Sequence, residues 1–157
     1  MLAGVQKPST KPEIITRAQE DAWFALLFTH ATVTARIDAV LMDQHRISFS
    51  AFEILCRLKE QEPQPVRVLA GQLVSVSPTQ ASRLMQDLVD DGYLQRGADQ
   101  GDGRVSLISF TPEGRRYAAE VARTFEEQVQ KCFVDPLDDE DIAAITRIWD
   151  KLRAAGG

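Results

Sequence analysis

This 157-residue chain has only two cysteines, two histidines, two tyrosines and two tryptophans, few of the side chains that build thiolate or imidazole metal sites and disulfide frameworks. Cys56 and Cys132 lie far apart, with no Cys-x-x-Cys spacing and no clustering with histidine, so neither a disulfide framework nor a zinc site is indicated. His30 and His45 fall on or near the same helical stretch without thiol or carboxylate partners at ligand spacing, and a surface or pocket role is expected rather than a metal. Long apolar runs are also missing. The longest, "AWFALLF" at 22–28, is far short of the roughly 20 residues that span a bilayer, so no membrane association and a cytoplasmic location are expected. There is no glycine-rich phosphate loop, no nucleophile elbow and no paired histidine–carboxylate constellation, so neither an enzyme nor a cofactor is expected.

What remains is the composition of one soluble domain, 44% hydrophobic and 26% charged, long enough to bury a core. The net charge of −5 argues against nucleic acid until its distribution is considered. Residues 1–47 carry five basic and five acidic groups, residues 48–116 eight and nine, and residues 117–157 five and nine. Acidity gathers at the C-terminal end and leaves the middle near neutral, and the local field decides what binds there.

Periodicity indicates helix over most of the chain. Residues 1–12, with two prolines, read as a flexible tail. From Ile15 through Ala18, Ala22, Leu26, Val33, Ile37 and Leu41 the apolar residues share one face of a long helix. Ser50 with Glu53 reads as a capping box for the next helix, with Ala51, Ile54, Leu55 and Leu58 as its buried stripe, and "EQEPQP" (60–65) stops it. "VRVLAGQL" (66–73) is a short helix, "VSV" (74–76) a tight turn, and 77–92 a second helix with Ser77 at the N-cap, Pro78 in the first turn, Gln80 completing a capping box and Gly92 at the end. Ala81, Leu84, Met85 and Leu88 face inward. Ser77, Thr79, Gln80, Ser82, Arg83 and Gln86 occupy the leading end or the outer face, with groups able to bond base edges and phosphates. Such a pair is either a helix-turn-helix or an ordinary amphipathic helix pair.

The hairpin that follows favours the first. "YLQR" (93–96) and "RVSLISF" (104–110) are rich in strand formers, and "GADQGDG" between them tolerates positive φ and has nothing apolar to bury. The alternation is imperfect, because Val105 and Leu107 fall on one face and Ile108 and Phe110 on the other; a bulge or a strand covered on both sides would each explain it. A thin wing beside a recognition helix can reach the DNA backbone or minor groove with Arg104. A plain surface hairpin with Arg104 paired to Asp102 is the other reading.

On these residues the chain resembles the multiple-antibiotic-resistance-regulator (MarR) family of winged-helix repressors, from about Trp23 to Leu152 and most closely over 48–116. "LAGQLVSVSPTQASRLMQDLVDDGYLQR" is similar to the family's helix-turn-helix pattern, Asp102-x-Arg104 to its wing Asp-x-Arg, and "FTPEGRR" to its Leu-Thr-x-x-Gly. The resemblance implies that Asp102 orients Arg104 in the minor groove. Val74, Gly103 and Asp87 depart from the pattern, each removing turn flexibility or positive charge. One branch of the family senses hydroperoxides through a cysteine early in the first helix, and Trp23 stands at the aligned position. Family ligands sit between the first helix and the winged domain, which implies a small aromatic or anionic ligand near Trp23, Phe24, His30 and Phe52.

Beyond the wing, Thr111-Pro112 opens a helix marked by Ala118, Val121, Phe125, Val129 and Cys132. Pro136 breaks it, and Asp138 caps a last helix with Ile142, Ile145, Trp149 and Leu152 as its stripe. These helices hold more apolar surface than one protomer covers, so a symmetric dimer is expected. The expected fold is mainly α with a small two-stranded β-wing: one domain over 1–157, dimerisation helices at 13–47 and 112–155, and a winged helix-turn-helix at 48–111. The expected function is a homodimeric, sequence-specific DNA-binding transcriptional regulator, a repressor that a small molecule releases from a pseudo-palindromic operator in double-stranded DNA. Arg67 joins the DNA-contacting set of Ser77, Pro78, Thr79, Gln80, Ser82, Arg83, Gln86, Asp102 and Arg104. The alternative is a winged-helix protein–protein interaction module without tight DNA binding, for which the near-neutral middle speaks.

Overall fold

The computed structural model of the chain describes residues 14–98, 101 and 105–156. Among these residues are α1 (Arg17–His45), α2 (Phe49–Glu60), β1 (Gln64–Pro65), α3 (Val66–Gln72), α4 (Pro78–Asp90), β2 (Leu94–Ala98), β3 (Ser106–Phe110), α5 (Pro112–Val129) and α6 (Asp139–Ala155). α5 widens at its end into a π-type turn, Gln130–Val134. The proposed tail at 1–12 lies outside the described residues. The chain separates into two units, residues 1–32 and 33–157, with the division inside α1.

In the first unit, Thr16 and Gln19 cap the helix reciprocally: the Thr16 N–H donates to Gln19 Oε1 at 2.8 Å and the Gln19 N–H to Thr16 Oγ1 at 3.3 Å. Trp23, Phe24, Leu27 and Phe28 are exposed, and the only partly covered apolar side chain of the stripe's first half is Leu26. α1 as a whole is, among the described residues, a helix long and apolar enough by length and composition to span a bilayer. No contiguous apolar run reveals this, because Thr29, His30, Thr32 and Thr34 interrupt the apolar residues. The helix also carries Arg36 and Asp38, and its second half serves as protein core, with Ile37 and Leu41 buried.

The second unit is built on a core of α2, α3 and α4 with the sheet and α5 packed against it; Leu41, Ile54, Leu55, Leu58, Leu69, Met85, Leu94, Ile108 and Val121 are among its fully buried side chains. The cap of α2 lies two residues before the expected one. Ser48 is the N-cap, its hydroxyl accepting from the Ala51 N–H at 3.2 Å, so Ser50 and Glu53 already lie within the helix and form no capping box. At the other end the buried Gln64 side chain donates from Nε2 to the carbonyls of Arg57 (3.1 Å) and Gln61 (2.7 Å), satisfying acceptors that the helix end leaves open.

Gln64 also corrects the expected two-stranded wing. The stretch that terminates α2 continues as β1, which pairs antiparallel with β3 (Gln64↔Ile108, Pro65↔Leu107) to give a three-stranded sheet ordered β1-β3-β2. The β2–β3 register runs unbroken from Leu94↔Phe110 to Ala98↔Ser106, so no bulge is needed. Ile108 and Phe110 are buried while Leu107 is half-buried, which is the doubly covered strand.

α4 ends at Gly92 with φ +80, the left-handed conformation glycine adopts without cost. The next residue is a junction. The Tyr93 carbonyl accepts from the Thr111 N–H at 3.1 Å, and the Thr111 hydroxyl donates to the Gly92 carbonyl at 2.7 Å while accepting from the Gly114 N–H at 2.9 Å. The Tyr93 and Tyr117 rings stack at 3.8 Å with 4° between their planes, and the Tyr117 hydroxyl donates to the His45 carbonyl at 2.8 Å. His45 Nε2 in turn lies 2.7 Å from Thr124 Oγ1. Burial, then the proximity of Tyr93 and Asp91, pushes the Tyr117 phenol up to about 12. The folded state thus retains this proton more firmly than the unfolded chain. The resulting stabilisation is complete below about pH 10, the ordinary tyrosine value, and is lost as pH rises towards 12. Ultraviolet titration of the native protein and of Tyr117→Phe should give a difference curve with its midpoint near 12; a midpoint near 10 would refute it.

Candidate nucleic-acid interface

The turn between α3 and α4 is held from below by a residue the sequence pattern had assigned elsewhere. Glu53, freed from capping, accepts from the N–H groups of Val74 (Oε1, 3.2 Å) and Ser75 (Oε2, 3.4 Å) and from the Ser75 hydroxyl at 2.6 Å. Three donors on one carboxylate fix a turn in which valine stands where the family pattern has glycine, and Val74 itself points to solvent at 86% exposure. Leu73, buried, anchors the other side.

α4 then starts with the expected punctuation. The Ser77 hydroxyl accepts from the Gln80 N–H at 3.3 Å, Gln80 Oε1 accepts from the Ser77 N–H at 3.1 Å, and Pro78 occupies the first turn. Ala81, Met85 and Leu88 are buried, with Leu84 partly so. Ser77, Pro78, Thr79, Gln80, Arg83 and Gln86 are exposed on the leading end and outer face, as is Arg67 on α3. Ser82 is half-buried and its hydroxyl donates back to the Pro78 carbonyl at 3.0 Å. Between α3, the start of α4 and β3 lies a groove of about 660 Å³ floored by Val66, Ala70 and Val105 and edged by Arg67, Ser82 and Ser106. One surface therefore gathers hydroxyls, an amide, two guanidinium groups and an apolar floor, with the wing strands along its side. Such a surface can bond phosphates and base edges while packing against sugar.

The root of the wing is tied twice. Glu62, with only 16% of its side chain exposed, accepts the Phe110 N–H at 2.7 Å and a two-pronged contact from Arg115 at 2.6 and 2.9 Å. On the outer side, Arg96 of β2 bonds Gln86 of α4 and Ser106 of β3. The sequence pattern did not single out Glu62 or Arg96 and gave Glu53 a different role, since their partners lie far along the chain. Asp102 and Arg104 lie outside the described residues.

The aromatic set expected near a ligand divides. Trp23 and Phe24 are exposed at 57% and 59%, and His30 is exposed, within residues 14–32. Phe52 is buried in the second unit with its ring 4.9 Å from that of Phe125. Cys56 is half-buried, and burial, followed by the Glu60 carboxylate, raises its thiol above the usual value, which suppresses the reactive thiolate.

Residues 47–106 match the model of the MarR family. This stretch is similar to the MarR family. Solved structures share the fold over most of the chain. AbsC, a MarR family transcriptional regulator from Streptomyces coelicolor, is 22% identical with a TM-score of 0.76, covering 90% of this chain and 99% of its own. Sco3205 from the same organism, a MarR family regulator solved in complex with DNA, is 17% identical with a TM-score of 0.81, covering 94% and 92%. BpsR from Bordetella bronchiseptica, whose DNA binding is regulated by 6-hydroxynicotinic acid, is 19% identical with a TM-score of 0.74, covering 88% and 97%. No curated protein sequence matches. The matching segment begins at the last residue before the Ser48 cap of α2 and ends at the first residue of β3. It thus takes in the whole helix-turn-helix and both sides of the wing loop.

Proposed function

We propose that this chain is a homodimeric, sequence-specific DNA-binding transcriptional regulator of the MarR type, a cytoplasmic repressor whose operator binding a small aromatic or anionic ligand weakens. The observation that carries the reading is the exposed, polar leading end of α4 beside the wing, inside the segment that matches the family model. Thr79, Gln80 and Arg83 are the candidate base readers. Arg67, Ser77 and Ser82 are candidate phosphate contacts, and Asp102 and Arg104 are the candidate wing contact. The exposed apolar faces of α1 and α6 support a second copy as partner. The exposed Trp23, Phe24 and His30 of α1 are the candidate ligand contacts.

The test is a fluorescence-anisotropy titration against the chain's own upstream region at several salt concentrations. Two recognition helices related by a two-fold axis require a pseudo-palindrome with half-site centres about 10 bp apart, and phosphate neutralisation requires affinity to fall steeply with salt. Gln80→Ala or Arg83→Ala should change which bases are preferred, by about 1–3 kcal/mol where the side chain bonds a base edge in two places. A single asymmetric footprint would contradict the dimeric mode. Affinity independent of salt would favour the protein–protein module, the reading that the eight basic against nine acidic groups of residues 48–116 support.

A further inference from the structure

The polar ends of Gln86 are engaged within the chain. Its Oε1 accepts from Nε and Nη2 of Arg96 at 3.2 and 2.9 Å, and its Nε2 donates to Asp90 Oδ1 at 2.7 Å. A glutamine that reads adenine needs both ends of its amide for one base edge; here both ends already have partners. The arginine is similarly engaged, since its Nη1 donates to Ser106 Oγ at 3.2 Å. Strand alternation explains why it reaches α4. Arg96 follows Leu94 on the hairpin face that carries the buried Leu94, Ile108 and Phe110, and Ser106 belongs to the same face. These contacts join α4, β2 and β3, the three elements whose mutual angle decides whether helix and wing can engage one duplex together.

We propose that Arg96 and Gln86 are positioning residues, a latch that sets the wing against the recognition helix, and that Gln86 reads no base. The inference rests on the DNA-binding function proposed above. A guanidinium sharing one amide oxygen and one hydroxyl resists rotation of the hairpin about its root, where a single contact would not. Base reading then belongs to the first two turns of α4, and affinity at the wing depends on a contact that touches no nucleotide.

The experiment measures binding of the intact protein to its operator, and to a panel of single base-pair substitutions, for wild type, Arg96→Ala, Arg96→Lys, Gln86→Ala and Gln86→Ala/Arg96→Ala. Amide hydrogen exchange of each free protein is measured in parallel. Each single alanine variant should weaken binding by about three- to tenfold on every operator alike. The double variant should lose no more than the worse single one, because both remove the same latch. Arg96→Lys should behave as Arg96→Ala with the salt slope of wild type, since the charge is kept and the fork is lost. In the free variants exchange should accelerate in residues 94–98 and 106–110 and stay unchanged in α2. A changed base preference in Gln86→Ala would make it a reader and overturn the proposal. So would full affinity in Arg96→Lys with a salt slope lowered by about one in Arg96→Ala, the signature of a phosphate contact. If wild type binds no operator, the DNA-binding function falls, and wing exchange that is unchanged in the variants would overturn the latch independently.

Discussion

Gly114→Ala is expected to cost about 3 kcal/mol or more of folding stability, although alanine in a helix is intrinsically better than glycine by about 1 kcal/mol. A Cβ at position 114 would lie 1.8 Å from the Tyr93 carbonyl oxygen, 2.6 Å from its carbon and 3.0 Å from its Cα. All three are backbone atoms, and they cannot rotate away as a side chain would. The first turn of α5 would have to lift off the Tyr93 backbone, taking with it the bonds from Thr111 to Tyr93 and Gly92. Three bonds depend on that approach, so the clash outweighs the propensity gain. Gly71 supplies the control: it lies in α3 with nothing within 4 Å of the added carbon, so Gly71→Ala should be neutral or slightly stabilising. Denaturant midpoints compared among the three proteins decide the matter, and a wild-type midpoint for Gly114→Ala would mean that the close approach is absent in solution.

Ile148→Asp/Leu152→Asp is expected to convert the protein to a monomer and to reduce operator affinity by two orders of magnitude or more, to that of a lone half-site. No residue of α6 is buried within one chain, and Ile148, Trp149 and Leu152 are 51%, 36% and 57% exposed. An apolar stripe left in water forgoes about 25 cal/mol for each Å² that a partner could cover. Because both side chains are already exposed, charging them costs the protomer little beyond helix propensity, about 0.5 kcal/mol each. Sedimentation velocity should therefore show a folded species of half the mass, with circular dichroism unchanged. A variant that stays dimeric, or a wild type that sediments as a monomer, would remove α6 from the interface.

What the sequence disclosed and what it concealed follow from how far apart the interacting residues lie. Ser77 and Gln80 are three residues apart, so their capping box is legible as a local pattern and the structure contains it. Ser50 and Glu53 have the same spacing, yet Ser48 takes the cap and Glu53 turns to the Val74–Ser75 turn, because a carboxylate follows the nearest unsatisfied N–H groups rather than a motif. β1 is two residues long and exists only through its pairing with Leu107 and Ile108, which no local propensity signals. The link between Gln86 and Arg96 bridges a helix and a strand across the turn at Gly92, and it becomes visible only once the hairpin folds back. The glycine at 114 was legible as part of a family pattern; its reason, the Tyr93 backbone, was not.

The stacking of Tyr93 on Tyr117 places both tyrosines of the chain at one junction, where the end of α4, the root of the wing and the start of α5 meet. The two tryptophans, Trp23 and Trp149, stand instead on exposed faces of α1 and α6. The unlabelled protein therefore carries two spectrally separate reporters. Indole emission, excited at wavelengths that tyrosine does not absorb, follows whatever covers these faces of α1 and α6, and the tyrosine ring vibrations, distinct from those of indole in ultraviolet resonance Raman spectra, follow the wing junction. Recorded together during an operator or ligand titration, the two signals give the order in which those regions respond.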